Sequence, residues 1–572
     1  MCWNRWAAPT GNKQQERKSA MEVLQFTKAN CRDCYKCVRE CPVKSIRVRD
    51  HQASIISEDC LLCGRCVQVC PQNAKDVRDD VPLVKQLIAS GEKVIATLAP
   101  SFIAAFDAKG FRPMADAMKK LGFYEVFETA VGANIVKTEY EKLIAGGQEL
   151  IISSCCHSIT RLIQKYHPEC LHYYAAVDSP MHAHAKLIKE QYPDAHIIFV
   201  GPCISKKDEV EQYCDGLIDL TITFEELEQW FEAEGVTFED SPDDSHYRSR
   251  FFPAPGGVIR SMDRQEGFHY VAIDGVEKCR AALEEIAAGG LKGYFIEMNA
   301  CEGGCINGPG MPKKRRGQIL SGILVEQAAD PKKDFDVVHT LDTHKEMIPD
   351  VHRDEMPGEA EIQEILARTG KHKPEDMLDC GACGYSTCRE KAIAVWQGKA
   401  ELEMCLHYAK ERAESLSDQI FESSPTGIVA VDDQFIIRQI NREALHMLNV
   451  PEDENIVGQN FADYYDILEL LNVMETGENI INQRTHLEKS DLYIDRTVMY
   501  DAEHQNFLVF LKNIDAIVRA EDTAAELRRE TIRITDQVVD KQMRTVQEIA
   551  SLLGETTAET KVALTMLKKS ML

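Results

Sequence analysis

The alternation of apolar and polar positions divides the 572-residue chain into stretches of different character. Between about 81 and 355, short apolar runs (KVIATLAP at 93–100, ELIISSC at 149–155, HIIFVGPC at 196–203) alternate with stretches of helical period, such as EYEKLIAGGQ at 139–148 and MHAHAKLIKEQY at 181–192. Apolar runs of strand length separated by helices predict α/β layers, because each strand needs a cover on both faces. From 413 to 515 the runs GIVAVDD, FIIRQINREALHML, YIDRTVMYD and NFLVFLKNID predict a small α+β module. From 516 to 572 the chain is charged and free of Pro, and apolar positions recur at helical spacing in VVDKQMRTVQEIASLL. That pattern predicts a C-terminal helical segment with a stripe that packs on another helix.

Cysteine spacing defines the remaining regions. Cys31, Cys34, Cys37 and Cys41 precede Pro42, and Cys60, Cys63, Cys66 and Cys70 precede Pro71, each followed by a short β-like stretch (SIRVRD, NAKDVRD). This is the C-x2-C-x2-C-x3-C-P run of two-cluster ferredoxins, in which the fourth Cys serves the other cluster. The expected ligand sets are Cys31, Cys34, Cys37 and Cys70 for one 4Fe-4S cluster, and Cys60, Cys63, Cys66 and Cys41 for the other. Zinc is the alternative, but zinc knuckles pair C-x-x-C units across longer gaps and need neither the third Cys nor the Pro. Further on, Cys380, Cys383, Cys388 and Cys405 lie in DCGACGYSTCREKAIAVWQGKAELEMC, again a cluster-like spacing.

Composition agrees with a redox task. The 21 cysteines are bunched in a long chain, and the first twenty residues lack the apolar core of a signal peptide, so ligation is expected rather than a disulfide framework. No run approaches the roughly 20 apolar residues that span a bilayer. A formal charge of −26 opposes nucleic-acid binding. A cytoplasmic protein with no membrane span is the expectation, residues 1–20 being an N-terminal extension ahead of Met21.

Three further segments carry candidate chemistry: Ser153-Ser154-Cys155-Cys156-His157, Pro202-Cys203-Ile204-Ser205-Lys206-Lys207-Asp208-Glu209, and Glu297-Met298-Asn299-Ala300-Cys301-Glu302-Gly303-Gly304-Cys305. Thiolates at strand ends would converge on one edge of an α/β sheet. In order and separation the trio resembles the signature motifs of the FeFe hydrogenases over about residues 82–325, including APSFIAAF at 99–106. The resemblance implies that Cys156, Cys203, Cys301 and Cys305 hold the cubane of an H-cluster, a 4Fe-4S cluster bridged by Cys305 to a diiron subsite with CO and cyanide ligands. It makes Cys155 the proton-relay thiol, Lys206 the cation facing a cyanide, and Glu139 the inner relay glutamate. The outer glutamate's place falls near Val136 or Lys137. The chain departs from the family at His157 in place of Pro, and at Gly201 and Asn299 in place of Met, which implies slow or directionally biased turnover.

Behind these motifs, the segment holding Cys380 to Cys405 resembles a small 4Fe-4S domain of redox proteins and regulators, and the 413–515 module resembles a PAS sensor. The stretch after that module holds no histidine, so no phospho-accepting hairpin is expected there, and the helix is read as a dimer or partner-docking element. Cys2, Cys170, Cys214 and Cys279 belong to no motif and are read as packing residues.

The fold class expected is multidomain α/β and α+β. Its parts are an extension (1–20), a ferredoxin-like two-cluster domain (21–80), a hydrogenase catalytic α/β domain (81–355), a 4Fe-4S domain (356–412), a PAS domain (413–515) and a C-terminal helix (516–572). The function expected is reversible reduction of protons to dihydrogen in a hydrogen-sensing role, with three 4Fe-4S clusters besides the H-cluster. Ferredoxin is the expected redox partner, and dedicated maturation proteins are implied by the family. The alternative is a non-catalytic electron-transfer or signalling protein on the same scaffold.

Overall fold

The structure is a computed structural model and describes residues 23–26, 30–239, 243, 245–313, 316–351, 354–553 and 558–571; the expected extension at 1–20 and Cys2 lie outside the described residues. The chain divides into two compact units, Met1–Tyr408 and Ala409–Leu572, a division that falls just ahead of the boundary expected at 412.

At the front of the first unit are β1 (Leu24–Phe26), β2 (Ile46–Arg49), β3 (Gln52–Ile55) and β4 (Lys75–Val77), paired antiparallel as β1 with β4 and β2 with β3. Between them, α1 (Lys36–Glu40) and α2 (Arg65–Gln68) each carry the third Cys of a run. Both helices start from a left-handed residue, Tyr35 and Gly64, which folds the C-x2-C loop back over its own cysteines.

The middle of the unit is built on two parallel sheets. The strands are β5 (Val94–Leu98), β6 (Glu125–Glu128), β7 (Leu150–Ile152), β8 (His196–Gly201), β9 (Leu220–Thr223), β10 (His269–Asp274) and β11 (Tyr294–Asn299). They are ordered β6-β5-β8-β9 in one sheet and β10-β11-β7 in the other. Every residue of β5 is buried, as the unbroken apolar run predicts for a parallel strand covered on both faces. Four helices matter for the site: α3 (Thr129–Ala145), α4 (His157–Tyr166), α5 (Pro180–Gln191) and α6 (Ser205–Tyr213). The expectation of a single sheet edge is corrected here. The cysteine-bearing strands are split, β8 in one sheet and β7 and β11 in the other.

The last part of the unit packs α7 (Glu359–Arg368) on α8 (Cys388–Trp396) through Ile362, Ile365, Leu366 and Ala392. It is seated on the front end: the Val48 amide donates to Lys399 O at 3.0 Å, Lys44 Nζ to Gly384 O at 3.0 Å, and Lys399 pairs with Asp59 at 2.8 Å.

The second unit holds an antiparallel sheet of order β13-β12-β16-β15-β14, formed by β12 (Gly427–Asp432), β13 (Ile437–Ile440), β14 (Ile480–Leu487), β15 (Leu492–Asp501) and β16 (Asn506–Asn513). Its alternating burial along β12 and β16 is that of a sheet covered on one face. The helical end consists of α9 (Asp515–Leu553) and α10 (Ala558–Ser570), joined by a Lys568–Asp536 ion pair at 3.2 Å.

Candidate metal centre

Three strands end at one place. β7 runs into Ser153–Cys156 and α4, β8 into Pro202–Cys203 and α6, and β11 into Asn299–Cys305. Gly303 and Gly304, at φ +81° and +75°, turn the last loop; a Cβ at Gly304 would sit 2.6 Å from Pro253 O, so no side chain fits. The four thiols predicted for a cubane, Cys156, Cys203, Cys301 and Cys305, line one cavity of about 20 Å³. Beside it lies a second cavity of about 100 Å³, lined by Cys155, Cys156, Cys203, Lys206, Asn299 and Cys305 with Met181, Phe199, Phe252 and Val258. The thiols surround a volume rather than a point: among the described residues no three His, Cys, Asp or Glu side chains could hold a single metal ion. A zinc site needs sulfurs about 2.3 Å from one atom, whereas a cluster needs them spread around it.

Burial pushes Cys203 up to about 11 and holds Cys301 and Cys305 above the ordinary thiol range. Without iron these groups stay protonated, so cluster binding must displace protons.

Lys206 faces the larger cavity with its ammonium on Cys155 O at 3.3 Å and on the Glu209 carboxylate. Burial pulls Lys206 down, but the Glu209 charge outweighs it and holds the ammonium above its usual range. Lys345 also pairs with Glu209 at 3.3 Å, so this buried carboxylate serves two cations.

Cys155 is pushed up to about 12 by burial, and its hydrogen-bond partner is Tyr140, whose hydroxyl lies 3.2 Å from Sγ and 2.8 Å from Ser154 Oγ. Glu139 does not share this contact. Its carboxylate pairs with Lys142 at 2.7 Å and stands 3.9 Å from His339. Neighbouring residues on a helix point about 100° apart, and α3 turns Gly132, Val136, Tyr140 and Ile144 inward at four-residue spacing. That apolar stripe was present in the sequence.

The three departures have structural partners. A Cβ at Gly201 would meet the Phe199 ring at 2.8 Å, so Phe199 fills space beside position 201. Asn299 Nδ2 donates to Glu297 at 3.1 Å, and Glu297 also accepts from the Gly256 and Ile259 amides at 3.1 Å. Burial pushes Glu297 up to about 7, against the pull of these donors. His157 Nε2 bonds Asp208 at 2.8 Å, and Arg161 reaches the same carboxylate at 2.7 Å. His157 thereby ties the loop of Cys156 to the helix after Cys203. His157, Asp208 and Glu297 all stand in the three motif segments, which carry no sign of this tie or of the burial of Glu297.

The other cages form as spaced. Cys31, Cys34, Cys37 and Cys70 line one cavity, which is the cross-over expected of the duplicated run. Cys41 bears electrostatically on Cys60, Cys63 and Cys66. Cys63 also lines the cubane cavity, and Gly64 beside it is so close that a Cβ would meet Pro309 at 2.4 Å. Cys380, Cys383, Cys388 and Cys405 share a further cavity with Lys371, Tyr385 and Lys391. Cys170, Cys214 and Cys279 are fully buried packing residues.

Fold and cages together define an iron–sulfur protein with a ferredoxin-like front end joined to a cysteine-lined α/β core. Residues 92–267 and 260–309 match the family described as iron only hydrogenase large subunit, C-terminal domain. Residues 30–74 match a 4Fe-4S dicluster domain, 376–407 a putative Fe-S cluster domain and 415–480 a PAS domain. Iron hydrogenase 1 of Clostridium pasteurianum is 26% identical over 285 residues, 40% of this chain and 50% of that one, so the chain spans about half the length of this relative. The periplasmic Fe hydrogenase large subunit of Nitratidesulfovibrio vulgaris is 26% identical over 377 residues, 53% of this chain and 88% of that one. Among solved structures, an FeFe hydrogenase from Chlamydomonas reinhardtii aligns at 17% identity and a TM-score of 0.36 over 43% of this chain and 88% of that one. No helix among the described residues is long and apolar enough to cross a membrane.

Proposed function

We propose that this chain is an FeFe-hydrogenase-type oxidoreductase that interconverts dihydrogen with two protons and two electrons, at a low rate, as a hydrogen sensor. The observation that carries this reading is the pair of adjoining cavities, one ringed by Cys156, Cys203, Cys301 and Cys305, the other bounded by Cys155 and Lys206. The four thiolates would hold the cubane of an H-cluster, and a diiron subsite with CO and cyanide ligands, bridged through Cys305, would supply the chemistry of dihydrogen when bound.

The chain's own residues then have distinct tasks. Cys155 holds a proton at Sγ, because burial keeps the thiol neutral at physiological pH, and Tyr140 fixes the direction of that thiol. Lys206 presents a buried ammonium to anionic ligands. Phe199, Phe252, Met181 and Val258 keep the cavity apolar and exclude water. Cys63, which lines the cavity of the four thiols, would hold the ferredoxin-like end's cluster next to the cubane. Replacement of the two methionines by Gly201 and Asn299 makes the surroundings more polar, which supports a low rate over a high one. Three 4Fe-4S clusters, a ferredoxin as donor or acceptor, maturation proteins for the diiron unit, a signalling partner for the PAS unit and a cytoplasmic location complete the reading.

The test is an infrared spectrum and a hydrogen-turnover assay on purified, matured protein. Bands of iron-bound CO and cyanide together with turnover support it. Bands without turnover, or neither, leave the alternative, a non-catalytic electron-transfer or signalling protein.

A further inference from the structure

The cage at Cys380–Cys405 has no place in the hydrogen chemistry, yet it is built against the clusters that serve it. The Arg39 guanidinium donates to Ala382 O at 3.2 Å, and Lys44 Nζ donates both to Val38 O at 3.1 Å and to Gly384 O at 3.0 Å. A Cβ at Gly384 would stand 2.9 Å from the Val38 side chain, so backbone touches side chain with no room between. Val38 and Lys44 flank Cys41, which the run assigns to the central cluster with Cys60, Cys63 and Cys66. Tyr385 bridges the two sites: it lines the Cys380–Cys405 cavity and packs in one cluster with Cys41, against which Cys383 also packs. Its ring is buried and its hydroxyl has no hydrogen-bond partner in the protein. An orphaned buried donor between two thiolate cages is what a cluster sulfur would satisfy. The donor set also fits a cluster of net negative charge, since Lys371 Nζ lies 3.6 Å from Cys405 Sγ and Lys391 is buried in the same wall.

We propose that the cluster held by Cys380, Cys383, Cys388 and Cys405 is a second electron exit, fed directly from the central cluster across the Tyr385 contact. The central cluster is then a branch point, with one arm to the outer cluster of Cys31, Cys34, Cys37 and Cys70 and another to the Cys380–Cys405 cluster. In each transfer one electron leaves the central cluster, which is oxidised by one unit, and the receiving cluster is reduced by one unit; no proton moves and no bond changes. The two buried ammonium groups stabilise the reduced, more negative state of the receiving cluster. The electrons' source rests on the hydrogenase reading above; the branched wiring does not.

The experiment uses full-length holoprotein and electron paramagnetic resonance. Stepwise chemical reduction of the unmodified protein is expected to give spin–spin broadening between the central and Cys380–Cys405 clusters. In Cys34→Ser, which removes a ligand exposed at the outer cluster, dihydrogen is expected still to reduce the Cys380–Cys405 cluster. The proposal is overturned if that cluster couples magnetically only to the outer one, or if Cys34→Ser abolishes its reduction by dihydrogen while chemical reductant still reduces it. If dihydrogen reduces no cluster in the unmodified protein but the broadening is present, the hydrogenase reading fails and the branch stands. The broadening needs no variant, so a Cys34→Ser chain that does not fold still leaves the proposal decided.

Discussion

The cage of Cys156, Cys203, Cys301 and Cys305 and the cage of Cys380, Cys383, Cys388 and Cys405 use the same ligands in opposite ways. The first gathers four thiols from three strand ends in two sheets, spread over 150 residues of chain. The second is one local loop with a returning helix end. A distributed cage leaves space beyond its sulfurs, the cavity of about 100 Å³ beside Cys155 and Lys206, because its walls come from separate layers. The local cage closes on itself and offers a cavity of only about 30 Å³. Chemistry on a small molecule needs the first arrangement; storage of an electron needs only the second.

The strongest way to break this comparison is Cys203→Ala. Hydrogen turnover and the iron-bound CO and cyanide bands are expected to vanish, while the resonance of the Cys380–Cys405 cluster persists; loss of both signals would mean that the cages are not independent.

Next in size is the pH dependence that Glu297 imposes on the distributed site. Its carboxyl is raised from 4.5 to about 7 in the folded protein. The folded state therefore binds more protons than the unfolded one across that window, and stability falls as pH rises through it, by about 3 kcal/mol in all. Glu297→Gln is expected to flatten this slope in chemical denaturation of the chain followed between pH 5 and 7. An unchanged slope would remove Glu297 as its source.

Backbone crowding separates the two cages further. Gly304→Ala places a Cβ 2.6 Å from Pro253 O at positive φ, whereas Gly381→Ala meets nothing nearer than Tyr385 O at 3.8 Å. The first is expected to cost about 2 to 4 kcal/mol and the second about 1 kcal/mol, the strain of positive φ alone. Melting temperatures of the two variants measure the difference, and equal losses would show that the distributed loop is not tighter.

The smallest effect is expected from Lys371→Met. Removing the ammonium beside Cys405 should make the Cys380–Cys405 cluster harder to reduce, shifting its potential to more negative values in a redox titration and leaving the other clusters unmoved.

Legibility in the sequence followed the same division. The ferredoxin-like runs and the Cys380–Cys405 loop are legible in spacing and the other four thiols in the motif resemblance; three cavities gather Cys31, Cys34, Cys37 and Cys70, the Cys380–Cys405 four, and Cys156, Cys203, Cys301 and Cys305. On α3, Glu139 pairs with Lys142, while the turn of the helix brings the Tyr140 hydroxyl to Cys155. The split into two sheets was missed because alternating strands and helices specify layers without specifying which strands become neighbours. His157 was visible only as a departure from a pattern, since its partner Asp208 lies 51 residues away.

What the sequence determined by itself was the spacing of the cysteine runs, because spacing along the chain is carried by the residues alone. Only the tertiary structure decided that Cys63 stands at the cavity of the four thiols, that Tyr385 packs with both Cys41 and Cys383, and that burial pushes Glu297 up to about 7. Each of these depends on a distance or a degree of burial set by segments far apart in the chain, and neither quantity is carried by any residue alone.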